Sequence, residues 1–244
     1  MTIEKLMELH AKAHEIKSRR PVELATGLKG VYTEGIQKIK SNKDLSDHGR
    51  YKAREALQKD LRKQTLQEAA KVKADYLAVV KEARQLAYDM QVKEHEKPSD
   101  AVQVALYERS LADLKTAVML GANAERSIEA ITAFVSKYGD DPYYADQIKQ
   151  QYSTLAGSVL GIEATQSNRT ALAHVLERIE TKATTPERDA ASQIIEAFEG
   201  AETRNLFLTG TAVQNSIAGI IGTGGNRLND ADAALAEMDA QPTE

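Results

Sequence analysis

The chain has 244 residues, no cysteine, no tryptophan, 42% hydrophobic and 28% charged residues and a formal net charge of −4. That length can bury a core in one large domain or two small ones, and the lack of cysteine excludes a disulfide framework and any thiolate metal site. Few aromatics, abundant alanine and little β-branched alternation disfavour sheets. The fold class read from the sequence is therefore all-α, an elongated helical bundle. The charge is uneven, since residues 1–100 hold 21 Lys+Arg against 16 Asp+Glu (+5) and residues 101–244 hold 11 against 20 (−9). Opposite halves suit head-to-tail contacts between copies, or two differently solvated faces. Interleaved acids such as Asp60, Glu68 and Asp75 weaken attraction to phosphate, which makes nucleic acid a poor partner.

In chain order, Ile3, Leu6, Leu9, Ala13 and Ile16 mark one face of a first amphipathic helix that should stop at Arg20, because Pro21 restricts the residue before it. This stretch lacks the apolar core of a signal peptide, so the cytoplasm is the expected place of synthesis. Leu24, Leu28, Val31, Ile36 and Ile39 mark a second helix over 22–40. Gly27, Gly30 and Gly35 each cost it about 1 kcal/mol relative to alanine, and a kink is expected there. Ser46 is placed to cap a very long helix over about 46–97, roughly 75 Å at about 1.5 Å per residue. In its second half, Ala69, Val72, Tyr76, Val79, Ala83, Leu86 and Met90 keep the three-four spacing of a coiled-coil seam, with Ala70, Leu77, Val80 and Ala87 beside it. The seam residues Val72, Tyr76, Val79, Leu86 and Met90 are expected in the core, with 99–120 as antiparallel partner. The first half is basic and poor in large aliphatics. Arg50, Arg54, Lys59, Arg62 and Lys63 read either as a solvated face or as a projecting arm that docks on an acidic partner.

Pro98 and Ser99 should end the long helix and start another, marked by Val104, Tyr107, Leu111, Leu114 and Val118. Further stripes follow at Ile128, Ile131, Val135 and Tyr138, at Tyr144 to Val159, at Leu172 to Ile179, and at Ile194 to Phe198. Pro98, Pro142 and Pro186 recur every 44 residues (142−98 and 186−142). The spacing admits either helix-hairpin repeats over 98–185 or hairpins of coincident length. Residues 205–226 carry no charge and include five glycines. Leu206, Phe207, Leu208, Val213, Ile217, Ile220 and Ile221 make this a buried segment, an assembly arm, or a membrane-active element too polar to span. The chain thus divides on paper into N-terminal helices (1–45), a long-helix core (46–200) and a low-charge arm with a short final helix (201–244).

Chemistry is sparse. His10 and His14 lie one turn apart, but without the intervening glutamate or a third ligand of a zinc site. Gly222–Gly225 lack the lysine of a phosphate loop, Asp140, Asp141, Glu94 and Glu96 sit at predicted turns or helix ends, and Tyr143, Tyr144 and Tyr152 read as core or interface anchors. No catalytic, cofactor or metal site is expected, and the chain reads as a non-enzyme.

The run Leu45, Ser46, Asp47, His48, Gly49, Arg50, then Leu57 and a long charged alanine-rich helix, resembles helical virion and assembly proteins of tailed bacteriophages. There, a Leu-Ser/Thr-x-x-Gly-Arg/Lys turn introduces such a helix. The low-charge segment near the C-terminus resembles the arms those proteins use for neighbour contacts. The resemblance covers about residues 41–97 and transfers no functional residue. It implies a structural protein of the virion that self-associates and docks on other virion proteins. The alternatives from composition are a cytosolic helical adaptor and a membrane-active protein using 205–226.

Overall fold

Serine 46 begins the longest helix much as its chemistry suggests. Its hydroxyl accepts the Gly49 N–H (3.1 Å), supplying one of the bonds that a helix start lacks, and its carbonyl accepts the Arg50 N–H (2.8 Å) as the first bond of the helix ladder. A computed structural model describes residues 3–240, apart from the side chain of Thr223. Among them the fold is all-α. The helices are α1 (Ile3–Ser41), α2 (Asp47–Val92), α3 (Ala101–Met119), α4 (Ala124–Tyr138), α5 (Pro142–Ile162), α6 (Gln166–Ala183), α7 (Pro186–Ala197), α8 (Ala212–Ile221) and α9 (Ala231–Ala240). Short 3-10 stretches cover Ala201–Thr203 and Gly222–Asp230.

Two helix boundaries depart from expectation. Helix α1 does not stop at Arg20 but runs through Pro21 for 39 residues. Proline removes one ladder bond and costs about 3 kcal/mol in a helix interior. Leu6, Leu9 and Ala13 before it and Ala25 and Leu28 after it are all buried along one stripe, with Pro21 itself in line. Burial of each large side chain contributes about 1.5–3 kcal/mol, so the continuous stripe outweighs the local cost. Helix α2 ends at Val92, short of Lys97. The Lys93 carbonyl accepts from Arg188 Nη2 (2.8 Å) and His95 Nε2 donates to the Ala183 carbonyl (3.0 Å), so tertiary bonds replace the helix ladder there.

The chain forms two compact units, one of residues 3–87 with 194–240 and one of residues 88–193. The divisions fall inside α2 and α7, away from the boundaries at 45 and 200 read from sequence. In the first unit α1 and α2 form an antiparallel hairpin. Lys5 pairs with Glu82 (3.0 Å) and Arg20 with Asp75 (3.7 Å), and Gly35 lies so near Leu57 that a Cβ on it would stand 2.7 Å from the leucine tip. The seam residues Val72, Tyr76, Val79 and Leu86 are buried, as is Met90 in the second unit. Helix α3, assigned to the seam by the sequence, packs on α4 and α5 in the second unit.

The C-terminal segment folds onto the first hairpin. Helix α8 packs on α1, and the 3-10 stretch after it packs on α8 and α9. Two side chains lock the turn. Asn229 accepts the N–H groups of Leu206 and Phe207 (both 3.0 Å) and donates to the Phe207 carbonyl (2.8 Å). Buried Gln214 accepts the Gly210 N–H (2.9 Å) and donates to Asn226 Oδ1 (2.8 Å) and to the Gly225 carbonyl (3.3 Å).

In the second unit, α3–α4 and α5–α6 are two helical hairpins around one core. Ile128, Ile131 and Val135 of α4 and their counterparts Leu172, Val175 and Ile179 of α6 are all buried, so the 44-residue offset holds in the packing of these helices. The starts differ: Asp100, not Ser99, caps α3 through the Val102 and Gln103 N–H groups, while Pro142 and Pro186 open α5 and α7. Arg188 also joins Asp146 of α5 (3.2 Å) in an ion pair with both side chains largely shielded. Tyr107, Phe134, Tyr138 and Tyr144 cluster at one end, with Tyr107 and Tyr144 ring centres 4.5 Å apart.

Burial pushes the Tyr107 and Tyr144 phenols up from their ordinary value, and that of Tyr152 up to about 12. The neutral phenol is thus favoured in the folded chain, so stability is held below pH 10 and lost from about pH 10 to 12 as the unfolded phenols ionise first. Absorbance titration at alkaline pH should show late-ionising tyrosines, and unfolding monitored by circular dichroism should accompany them. A second outcome concerns Gly225, where a Cβ would lie 2.4 Å from the Ala218 Cα. Gly225→Ala should cost about 1–3 kcal/mol in urea denaturation, because backbone rather than a flexible side chain must move.

Candidate interaction surfaces

The basic half of α2 is split by what lies on it. Arg54 and Lys59 are exposed and have no acidic partner among the described residues. Arg62 is half-buried: its Nε donates to the Ile221 carbonyl (2.9 Å), and Gln58 Nε2 donates to the Ile220 carbonyl (3.2 Å). A helix leaves its last four carbonyls without ladder partners and carries partial negative charge there, so a guanidinium at that end satisfies both demands. Lys73 likewise reaches the Asn229 carbonyl (2.9 Å), and Lys63 pairs with Asp239 (2.7 Å). Arg50 is held locally by Asp47 and the Asn42 carbonyl. The arm of five cations is therefore corrected. Arg62 and Lys63 belong to the chain's own C-terminal packing, Arg50 to the 42–47 turn, and only Arg54 and Lys59 remain open.

The charge asymmetry has the same resolution. Residues 3–87 hold 19 Lys+Arg against 12 Asp+Glu (+7) and residues 194–240 hold 2 against 7 (−5), and both lie in the first unit. Opposite sequence halves meet within one molecule, at least in part, which weakens the inference of head-to-tail contact between copies.

Of the three readings of the low-charge segment, the structure has the buried one. Leu206, Phe207, Ile217, Ile220 and Ile221 are buried in the chain's own first unit, Val213 is half-buried, and of the residues offered for partner contact only Leu208 is exposed. Its glycines serve packing. Gly222 ends α8 at φ +69°, and Gly224 lies over the Arg62 stem, where a Cβ would stand 2.9 Å from Cγ. The requirement for small residues was legible as composition, whereas the Arg62 stem they accommodate was not.

The remaining chemical candidates fall into structural places. His10 stacks at an angle on Phe198, with ring centres 5.6 Å apart, while His14 is exposed. Asp140 pairs with Lys182 (3.0 Å), and the hydrogen bond from that ammonium holds its carboxyl below the ordinary value. Asp141 caps α5. Glu94 and Glu96 are exposed beyond the end of α2. Tyr144 and Tyr152 are core residues, and the Tyr152 hydroxyl donates to the Leu172 carbonyl. Among the described residues no group of three His, Cys, Asp or Glu is placed to hold a metal, and no helix is long and apolar enough to cross a membrane.

Helix α3 carries exposed aliphatic side chains opposite its buried row. Val104, Tyr107, Leu114 and Val118 turn inward, yet Val102 and Leu106 lie along the opposite side and are 69% and 55% exposed, and Leu120, the residue that follows the helix, is 73% exposed. Their spacing of four and then fourteen residues, close to whole helical turns, keeps them in line.

Comparison with known proteins finds no matching family, no similar curated protein and no matching solved structure.

Because Arg62 caps α8, Arg62→Met should destabilise the first unit by about 1.5–3 kcal/mol. Hydrogen exchange should speed up in residues 212–230 while the α3–α6 core keeps its protection.

Proposed function

We infer that this chain is a non-enzymatic structural or assembly protein, of the kind found in tailed-phage virions, acting through helical self-association and docking on other virion proteins. The observation that carries the reading is the second apolar row of α3. Val102 and Leu106, on a helix whose other side is already committed to the core, and Leu120 just past its end face water. An amphipathic helix of a monomer keeps its outer face polar, and aligned exposed aliphatics mark an interaction surface. Arg109 and Asp113, both exposed between them, give the row one charge of each sign, which suits pairing with a like or complementary helix.

The basic pair Arg54 and Lys59 supplies a second, weaker contact element, because exposed charges steer association more than they hold it. The resemblance of residues 41–97 to virion proteins agrees with this role.

Light scattering after size exclusion tests the reading. Wild type should run as a multiple of 26.7 kDa, or form a complex with a capsid or tail protein. Leu106→Glu with Leu120→Glu should return it to 26.7 kDa with unchanged helicity, and Arg54→Glu with Lys59→Glu should lower association most at low salt. A wild-type monomer that captures no virion protein would remove the proposal.

A further inference from the structure

In the first unit the packing of α1 against the 206–213 segment is incomplete. His14, Lys17, Ser18, Pro21 and Val22 share one face of α1, and Phe207, Leu208, Thr211 and Val213 stand opposite, around a cavity of about 270 Å³. Leu206 and Phe207 are buried and Pro21 lies on the buried stripe, so the floor is apolar. Val22 and Leu208, 47% and 56% exposed, form apolar walls open to water.

One rim is cationic and uncommitted. Lys17 has no carboxylate partner among the described residues, and neither does the His14 ring. Glu15, the nearest acid in sequence, is engaged by Arg19 (3.1 Å), which also holds Glu23 (2.7 Å). Thr211 caps α8 by accepting the Gln214 N–H (3.3 Å), so the positive end of a ten-residue helix borders the same space.

An apolar floor beside an unpaired ammonium selects a ligand with a short aliphatic body and one compact anionic head. A neutral ligand would leave the ammonium unused, and a purely polar anion would leave the apolar walls wet. The volume exceeds an engineered cavity of about 150 Å³ that admits benzene and lies just below the range of about 300–1,000 Å³ of drug-sized sites. That suits a single short chain and not a phospholipid.

We propose that this cavity binds a free medium-chain fatty acid, its carboxylate on Lys17 and its tail against Pro21, Val22, Phe207 and Leu208. The site is independent of the outer row of α3, so its failure would leave the assembly role standing, and the reverse.

Calorimetric titration of the full chain with octanoate, and separately with octanol, tests it. Wild type should bind octanoate saturably with one site per chain and bind octanol more weakly. Lys17→Gln should weaken octanoate at least about fivefold and leave octanol unchanged, since a charge-assisted bond is lost but not the apolar wall. Leu208→Asp should weaken both. Both residues are at least partly exposed, and unchanged circular dichroism would confirm that the variants fold. Non-saturating uptake of octanoate, equal affinity for octanol in wild type, or an unaltered octanoate affinity in Lys17→Gln would each overturn the proposal.

Discussion

The carbonyl ends of the C-terminal helices are the constraint on which the first unit turns. A short helix such as α8 has ten residues, too few to be stable alone, and its last carbonyls must find donors. Gln58 and Arg62 supply them from α2, and Lys73 does the same for the 3-10 stretch that follows. Long side chains projecting from a rigid helix act here as the C-caps of a segment more than 150 positions away. Everything else in that corner follows: glycines where the backbone must lie on the Arg62 stem or beside Ala218, and Asn229 and Gln214 where the turn needs internal partners.

The same arrangement changes the meaning of the charge pattern. A basic first half and an acidic remainder suggest contacts between copies when the chain is laid out in a line. Folding brings residues 194–240 into one unit with residues 3–87, and Lys63 with Asp239 and Arg84 with Glu202 bond across that join. The charges left over for a partner are fewer.

The second unit was the more legible one. Its helices are short and amphipathic, and Asp100, Asn123, Asp141 and Thr165 each accept a first-turn N–H. Each contributes one continuous apolar stripe, so period alone places Ile131, Ile148 and Ile179 in the core. The outer row of α3 escaped because alignment of exposed residues becomes meaningful only after the inner row is known to be filled. Pro21 misled for a different reason. Its local cost is visible in the sequence, but the partners that offset it, the facing length of α2 and the C-terminal segment lying on α1, are not.

By itself, then, the sequence determined the all-α class, the Ser46 start of α2, the buried seam of α2 and the absence of a recognisable catalytic motif, because these depend on short-range spacing and capping chemistry. Tertiary structure alone decided that α1 is one helix and that α2 ends at Val92. It also decided that the uncharged segment is internal packing and that Arg62 is a cap, while Arg54 and Lys59 have no acidic partner among the described residues. Each of these rests on which distant group arrives to satisfy a carbonyl, cover a stripe or neutralise a charge, and such long-range pairings leave no periodic trace in the chain.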